Sequence, residues 1–284
     1  MYVIAGVSGH TGSVAADTLL SQGEKVRVIV RDAAKGASWK ARGAEVAIAA
    51  LEDTKALSRA LEGATGAYVL VPPRMGSQDP LGENRAVVAS IAAAVRAAKV
   101  PHVVLLSSVG AQLESGTGPI QSVHHAEVEL AKTGAALTSI RASYFLENWQ
   151  NSLGALDQGI LPGFVPTDLR FPMVATADIG RTIARALVEK TPGVIELSGP
   201  KDHTAEEIAA IVSGIVGKPI KAVQGPLDQV VPTFTSFGIS APVAQLFAEM
   251  YEGIIAGRVA SQPGNRQVRG TTTAEQVLRA ALNR

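Results

Sequence analysis

Cysteine is absent from all 284 residues. That excludes disulfides, thiolate metal sites and cysteine nucleophiles, and it fits a cytoplasmic protein. An excess of one charge is missing too: 26 Lys and Arg face 25 Asp and Glu, with the basic residues scattered. Bulk binding to nucleic acid or an anionic membrane needs a basic stripe, so neither is expected as a partner. No apolar run approaches the roughly 18 residues of a membrane span. The N-terminal MYVIAGVSG carries no basic segment and reaches glycine at position 6, unlike a secretory leader. The five histidines, His10, His102, His124, His125 and His203, show no H-x-x-x-H or H-E-x-x-H spacing, so no metal is expected.

What the chain does have is apolar mass. Hydrophobic residues make up 46% and charged residues only 18%, which suits a large buried core. Apolar runs at Tyr2–Ala5, Val26–Val30, Glu45–Ile48, Tyr68–Val71, Val103–Leu106 and Ala136–Ile140 read as strands. Helical stretches separate them, at 11–21, from 56, and at 83–98. Runs without in-out alternation suit strands covered on both faces, and strand-helix alternation predicts βαβ units. The expected fold is therefore α/β, a doubly wound parallel sheet with helices on both faces and a crevice at the strand C-termini.

Later segments read less regularly. Residues 159–172 are rich in Gly and Pro and read as loops, whereas Val194–Leu197 reads as a strand. Thr204 with Glu207, and Thr272 with Glu275, have capping-box spacing before helices. Residues 241–257 form an amphipathic pattern whose apolar face, including Val243, Phe247 and Ile254, suits either a lobe core or a pocket wall. Residues 1–155 read as a dinucleotide-binding domain. Residues 156–284 read mainly as a smaller substrate lobe, with some segments returning to the main domain.

The first strand and helix are joined by Gly6-Val7-Ser8-Gly9-His10-Thr11-Gly12. Glycines permit a sharp turn and close approach of a pyrophosphate, and the helix N-terminus offers N–H groups to an anion. Ser8, His10 and Thr11 share that loop. A dinucleotide's adenosine ribose is read about 20 residues further on. There the second strand ends at Arg31, followed by Asp32. A guanidinium suits a 2′-phosphate, which favours NADPH over NADH, with Lys35 as a second cation. Asp32 keeps NADH as the alternative.

These residues belong to a wider pattern. GVSGHTG at 6–12, VRVIVRD at 26–32, HVVLLSSVGA at 102–111 and HHAEVELAKTGAALTSIRASYFLENW at 124–149 resemble the NmrA-like branch of atypical short-chain dehydrogenases/reductases. The segment SIRASYFLEN is similar to the bacterial NADPH:quinone oxidoreductase group within that branch. The resemblance implies a Rossmann-type fold and NAD(P)H binding, with either reductase activity or redox-linked regulation. It implies that Asp53 approaches the adenine and that Val71, Pro72 and Pro73 pass over the cofactor. It puts Ser107 and Ser108 beside the nicotinamide, and Tyr144, Phe145, Glu147, Asn148 and Trp149 on the substrate side.

One departure concerns catalysis. No tyrosine lies between Tyr68 and Tyr144 and no lysine between Lys99 and Lys132, so the usual Tyr-x-x-x-Lys is missing. Without it, ordinary alcohol-dehydrogenase chemistry is not expected. A quinone acceptor demands less, because its reduction forms an aromatic hydroquinone. His124 or His125 would then offer a proton near neutral pH and Ser108 a hydroxyl, each set against a plain structural role. Glu127 and Glu129 read as capping and surface residues. The leading expectation is an NADPH-dependent reductase of a quinone or related aromatic carbonyl, without metal or tightly bound flavin, in a monomer or homodimer. A polycyclic biosynthetic substrate is a special case of it. The competing expectations are a non-catalytic NADP(H) sensor acting through a protein partner, and an isomerase or lyase.

Overall fold

The structure is a computed structural model that describes residues 1–282. Strands β1 (Tyr2–Ile4), β2 (Val26–Val30), β3 (Glu45–Ile48), β4 (Gly66–Val69) and β5 (His102–Ser108) alternate with α1 (His10–Ser21), α2 (Ala33–Ala41), α3 (Thr54–Leu61) and α4 (Pro80–Ala97). Helix α5 (Gln121–Ala131) then leads into β6 (Ala136–Ala142) and the short β7 (Tyr144–Phe145). Beyond them come β8 (Ile160–Gly163), β9 (Met173–Val174), α6 (Thr176–Glu189), β10 (Gly193–Ser198), α7 (Ala205–Val216) and β11 (Lys221–Gln224). The described chain finishes with α8 (Val230–Ser236), α9 (Ala241–Ile255), β12 (Arg266–Arg269) and α10 (Ala274–Leu282).

Eight strands form one parallel sheet in the order β3-β2-β1-β4-β5-β6-β10-β12. Successive side chains on a strand point to opposite faces, and the two cores follow from that. Ile4, Val28, Tyr68 and Ile140 pack with Ala15 and Leu19 of α1 and with Ile179 and Ile183 of α6. Val3, Ile29, Val69 and Leu105 pack under Leu57 of α3, Val87 and Ile91 of α4 and Leu130 of α5. This is the doubly wound Rossmann-type fold. Helices α1 and α6 approach closely at Gly180, where a Cβ would lie 2.8 Å from the Thr11 carbonyl oxygen. Strand order reverses between β1 and β4, and the crevice outside their C-terminal ends is where such sheets bind ligands.

A third core builds the lobe: Leu146, Trp149, Leu161, Met173, Ile208, Val212 and Leu278 pack together. The stretch read as loops from 159 to 172 contains β8, which pairs in parallel with β11. Its partner comes from about sixty residues further along, beyond the reach of local pattern. The fourth strand ends at Val69 rather than Val71, because pairing with β1 and β5 stops there.

The first capping reading is half right. Thr204 accepts from the Glu207 N–H at 3.1 Å, but the Glu207 carboxylate turns to Arg170 at 2.6 Å. The second box is shifted by one residue: Thr273 and Gln276 cap α10 reciprocally. Thr272 is taken up instead by Asp178, which accepts its N–H at 2.9 Å. The apolar face of α9 resolves towards core, since Val243 and Ile254 are buried and the Phe247 ring packs on Phe234 at 5.1 Å.

Candidate functional site

The glycine loop between β1 and α1 assigns each glycine a different task. Gly6 has φ +67°, a left-handed conformation, and a Cβ there would lie 2.7 Å from the Leu70 side chain. A Cβ at Gly12 would lie 2.5 Å from the Gly6 carbonyl oxygen and 2.8 Å from that of Ala5. The protein's own packing therefore requires both. Gly9 differs: its φ is −103°, and its Cβ would meet nothing nearer than the Gly6 carbonyl oxygen at 3.5 Å. Nothing inside the described protein needs glycine at 9, which leaves approach from outside as its physical use.

Gly9 also begins α1 without a side-chain cap, and the helix has no acidic residue in its first turn. Ser8, Gly9 and His10 are exposed around it. A pyrophosphate fits this arrangement, meeting open N–H groups and the positive end of the helix dipole. Arg31 is exposed at the end of β2, with Lys35 exposed on the first turn of α2. Asp32 is diverted, since its carboxylate accepts the Ala34 N–H at 2.9 Å and caps α2. Asp53 is likewise the cap of α3, accepting from the Ala56 N–H at 2.9 Å.

A cleft of about 490 Å³ opens beside this loop. Leu70, Val71 and Pro73 after β4, Leu106 of β5, and Pro119, Ile120 and Val123 around the start of α5 supply apolar walls. His10, Thr11, Ser107, Ser108, Phe145 and Asn148 line it as well, so much of the sequence-predicted set converges here. Pro72 lies between two lining residues but does not line the cleft itself. The Thr11 hydroxyl pairs with the buried Tyr68 phenol at 3.0 Å, anchoring the start of α1 over β4.

Other expected residues lie elsewhere. Trp149 is only 4% exposed and belongs to the lobe core, its indole N–H directed at the Met173 sulfur 3.4 Å away. Tyr144 packs edge-on to Phe171 and Trp149, with its phenol facing Tyr251 and Asn148. Burial pushes that phenol well above the usual tyrosine range. His124 and His125 line a separate cleft of about 170 Å³ with Arg85 and Glu114. Val123 faces the main cleft, and about 100° of rotation per helical residue carries its two successors away from it. The His124 Nδ1 is held by the Ala111 carbonyl at 2.8 Å, and burial lowers the pKa of His125.

The end of β5 rests on a buried charged network that sequence reading missed. Glu127, expected at the surface, receives Arg141 through two contacts: Nε to Oε1 at 3.0 Å and Nη2 to Oε2 at 2.7 Å. Ser107 donates to the same Glu127 Oε1 at 2.6 Å. On its other side, Arg141 reaches Gln262 at 2.9 Å and Glu196 at 3.6 Å. The Ser108 hydroxyl donates to the Val109 carbonyl at 3.0 Å. Both serine protons are thus committed within the protein.

Thr176 lines the cleft and was missed by sequence reading. Helix α6 starts after Ala175, which has no side-chain acceptor to cap it. Glu147 supplies that cap from the lobe, accepting the Thr176 N–H at 2.9 Å and its hydroxyl at 2.6 Å. The alanine in the capping position was the available clue that a partner had to come from elsewhere. Among the described residues, no cluster of His, Asp and Glu could hold a metal ion, and no helix is long and apolar enough to cross a membrane.

The chain is 24% identical over 257 residues to an NAD(P)H azoreductase of Xenophilus azovorans, covering 88% of this chain and 86% of that one. It is 26% identical over 265 residues to quinone oxidoreductase 2 of Escherichia coli strain K12, covering 90% and 89%. Among solved structures, an NADPH-dependent quinone oxidoreductase of Escherichia coli complexed with NADPH superposes with a TM-score of 0.83, at 24% identity over 99% of both chains. The model of the NmrA-like family matches residues 2–258, and the chain belongs to that family.

Proposed function

We propose that the chain is an NADPH-dependent reductase passing hydride to a quinone or a related planar aromatic acceptor. The observation that carries this reading is the apolar cleft of about 490 Å³ opening directly beside the glycine loop. The cleft has to take the nicotinamide end of the dinucleotide and still leave room for a flat acceptor, which a catalyst needs and a pure sensor does not. Relatives named as an azoreductase and a quinone oxidoreductase support the same substrate class.

In this reading residues 1–155 carry the dinucleotide and 156–284 supply most of the substrate lobe. The N-terminus of α1 and the bare backbone at Gly9 hold the pyrophosphate, and Arg31, with Lys35, holds the 2′-phosphate. Bound NADPH would supply the hydride. Leu70, Val71, Pro73, Leu106, Ile120 and Phe145 exclude water and hold a flat ring in place. Orientation of this kind lowers the barrier without acid catalysis. A hydroquinone oxyanion is stabilised by its aromatic ring, so neutral donors are enough. Gln150 lines the cleft and carries a side-chain amide that could serve, whereas the Asn148 amide is already engaged with the Tyr144 phenol. The serine protons are not available for it, and His124 and His125 lie at the other cleft.

The test is NADPH oxidation by purified, flavin-free protein against benzo-, naphtho- and anthraquinones, with NADH in parallel. Saturable NADPH consumption is expected, ranked by acceptor ring size. Tight NADPH binding without turnover on any acceptor would overturn the reductase reading in favour of the sensor.

A further inference from the structure

Ser107 lines the cleft while being only 4% exposed, and its hydroxyl proton is held by Glu127 at 2.6 Å. Glu127 accepts it as the carboxylate of a double contact with Arg141. An ionised carboxylate only accepts hydrogen bonds, so the serine must be the donor in that pair. Arg141 is itself kept in place by Gln262 and Gln112, at 2.9 and 3.3 Å. What the Ser107 hydroxyl still has to offer is therefore a lone pair on oxygen. Such an atom repels a quinone carbonyl, which has only lone pairs of its own. It binds an N–H or O–H donor.

Of the two molecules in the proposed reaction, NADPH carries a donor on its reactive ring: the NH2 of the nicotinamide carboxamide. A quinone has none. We infer that Ser107, positioned by Glu127 and Arg141, is an acceptor for the carboxamide NH2 of the nicotinamide and so selects cofactors that carry this donor. The inference rests on the NADPH reading above. Glu127 and Arg141 act as positioning residues, since they meet the cofactor only through Ser107.

The experiment measures binding rather than turnover, by calorimetry on the whole protein. Its probes are oxidised NADP+, its thionicotinamide analogue, which keeps the NH2, and its 3-acetylpyridine analogue, which puts a methyl group there. The first two should bind alike, and the third about tenfold more weakly, as expected when a buried acceptor loses its donor. Ser107→Ala removes the acceptor while leaving the Glu127–Arg141 pair intact, and should reduce the discrimination to less than about twofold. Equal binding of NADP+ and the acetylpyridine analogue by the unaltered protein would overturn the inference while leaving the reductase reading in place. So would discrimination that survives Ser107→Ala. Failure of all three probes to bind would instead remove the NADPH reading on which the inference stands.

Discussion

The glycine loop and the floor of the cleft are built on opposite plans. In the loop, neighbours in sequence do the work. Gly6, Gly9 and Gly12 lie within seven residues, and the exposed stretch Ser8 to His10 offers mainly backbone at the uncapped start of α1. Under the end of β5, Ser107, Glu127, Arg141, Glu196 and Gln262 converge from across 155 residues into one buried network. In the proposed reading the loop meets the dinucleotide with bare backbone, so changes there should show in binding. The floor presents one serine oxygen held in place by buried charges, so changes there should show first in stability.

The strongest way to break this contrast is to swap the two readouts. Glu127→Ala leaves Arg141 buried with Gln112, Gln262 and, as a charged partner, only the Glu196 contact at 3.6 Å. It should cost about 3–5 kcal/mol of unfolding free energy in urea. Gly9→Ala should leave stability within about 0.5 kcal/mol of the parent, because its Cβ meets only an ordinary contact. The same substitution should weaken NADPH binding by tenfold or more, read by calorimetry. Equal destabilisation by the two would erase the contrast.

Arg31→Ala tests how far exposed side chains share the loop's task. Loss of a charge-assisted contact of about 1.5–3 kcal/mol predicts roughly ten- to hundredfold weaker NADPH binding with NADH binding unchanged. Equal loss for both cofactors would remove the 2′-phosphate role.

A smaller effect belongs to the opposite end of β5. His102 is 2% exposed; its Nε2 lies 2.9 Å from the Thr138 hydroxyl, and its Nδ1 is buried without a partner. Thr138 donates to the Thr191 carbonyl at 2.8 Å, so Nε2–H must be the donor to Thr138. Burial first, and Lys190 second, lower the His102 pKa below its ordinary 6.5. The unfolded chain therefore takes up this proton at a higher pH than the native one. The contribution to stability is complete above about pH 6.5 and is lost as the pH falls below it. His102→Gln should flatten the fall in unfolding free energy between pH 7 and 5, with a residual slope from His125 and His203, whose pKa values are lowered as well.

The smallest expected effect is none. His124→Ala and His125→Ala should leave kcat at saturating NADPH within about twofold, because both rings lie at the separate cleft. A tenfold loss in either would show that the two clefts communicate.

Legibility in the sequence followed the range of the interactions. Strand-helix alternation, the glycine loop and the Thr204 cap depend on residues within a few positions, and each is visible as a local pattern. Glu127 looked like a surface residue because its partner, Arg141, is a strand and a turn away. Thr176 was missed because its acceptor, Glu147, lies 29 residues upstream. The family resemblance put Trp149 on the substrate side, yet the turn of the chain there points it into the lobe core.

The sequence alone determined the doubly wound sheet, the glycine loop and the cation at the end of β2. These depend on side-chain periodicity, on glycine's freedom at close quarters and on the reach of one strand. Tertiary structure alone decided which side chains share the cleft, where the two histidines went, and which way the serine protons point. Those outcomes depend on helix phase and on partners brought together by chain crossings. A hydrogen bond or buried charge takes its meaning from the atom opposite, and only folding supplies that atom.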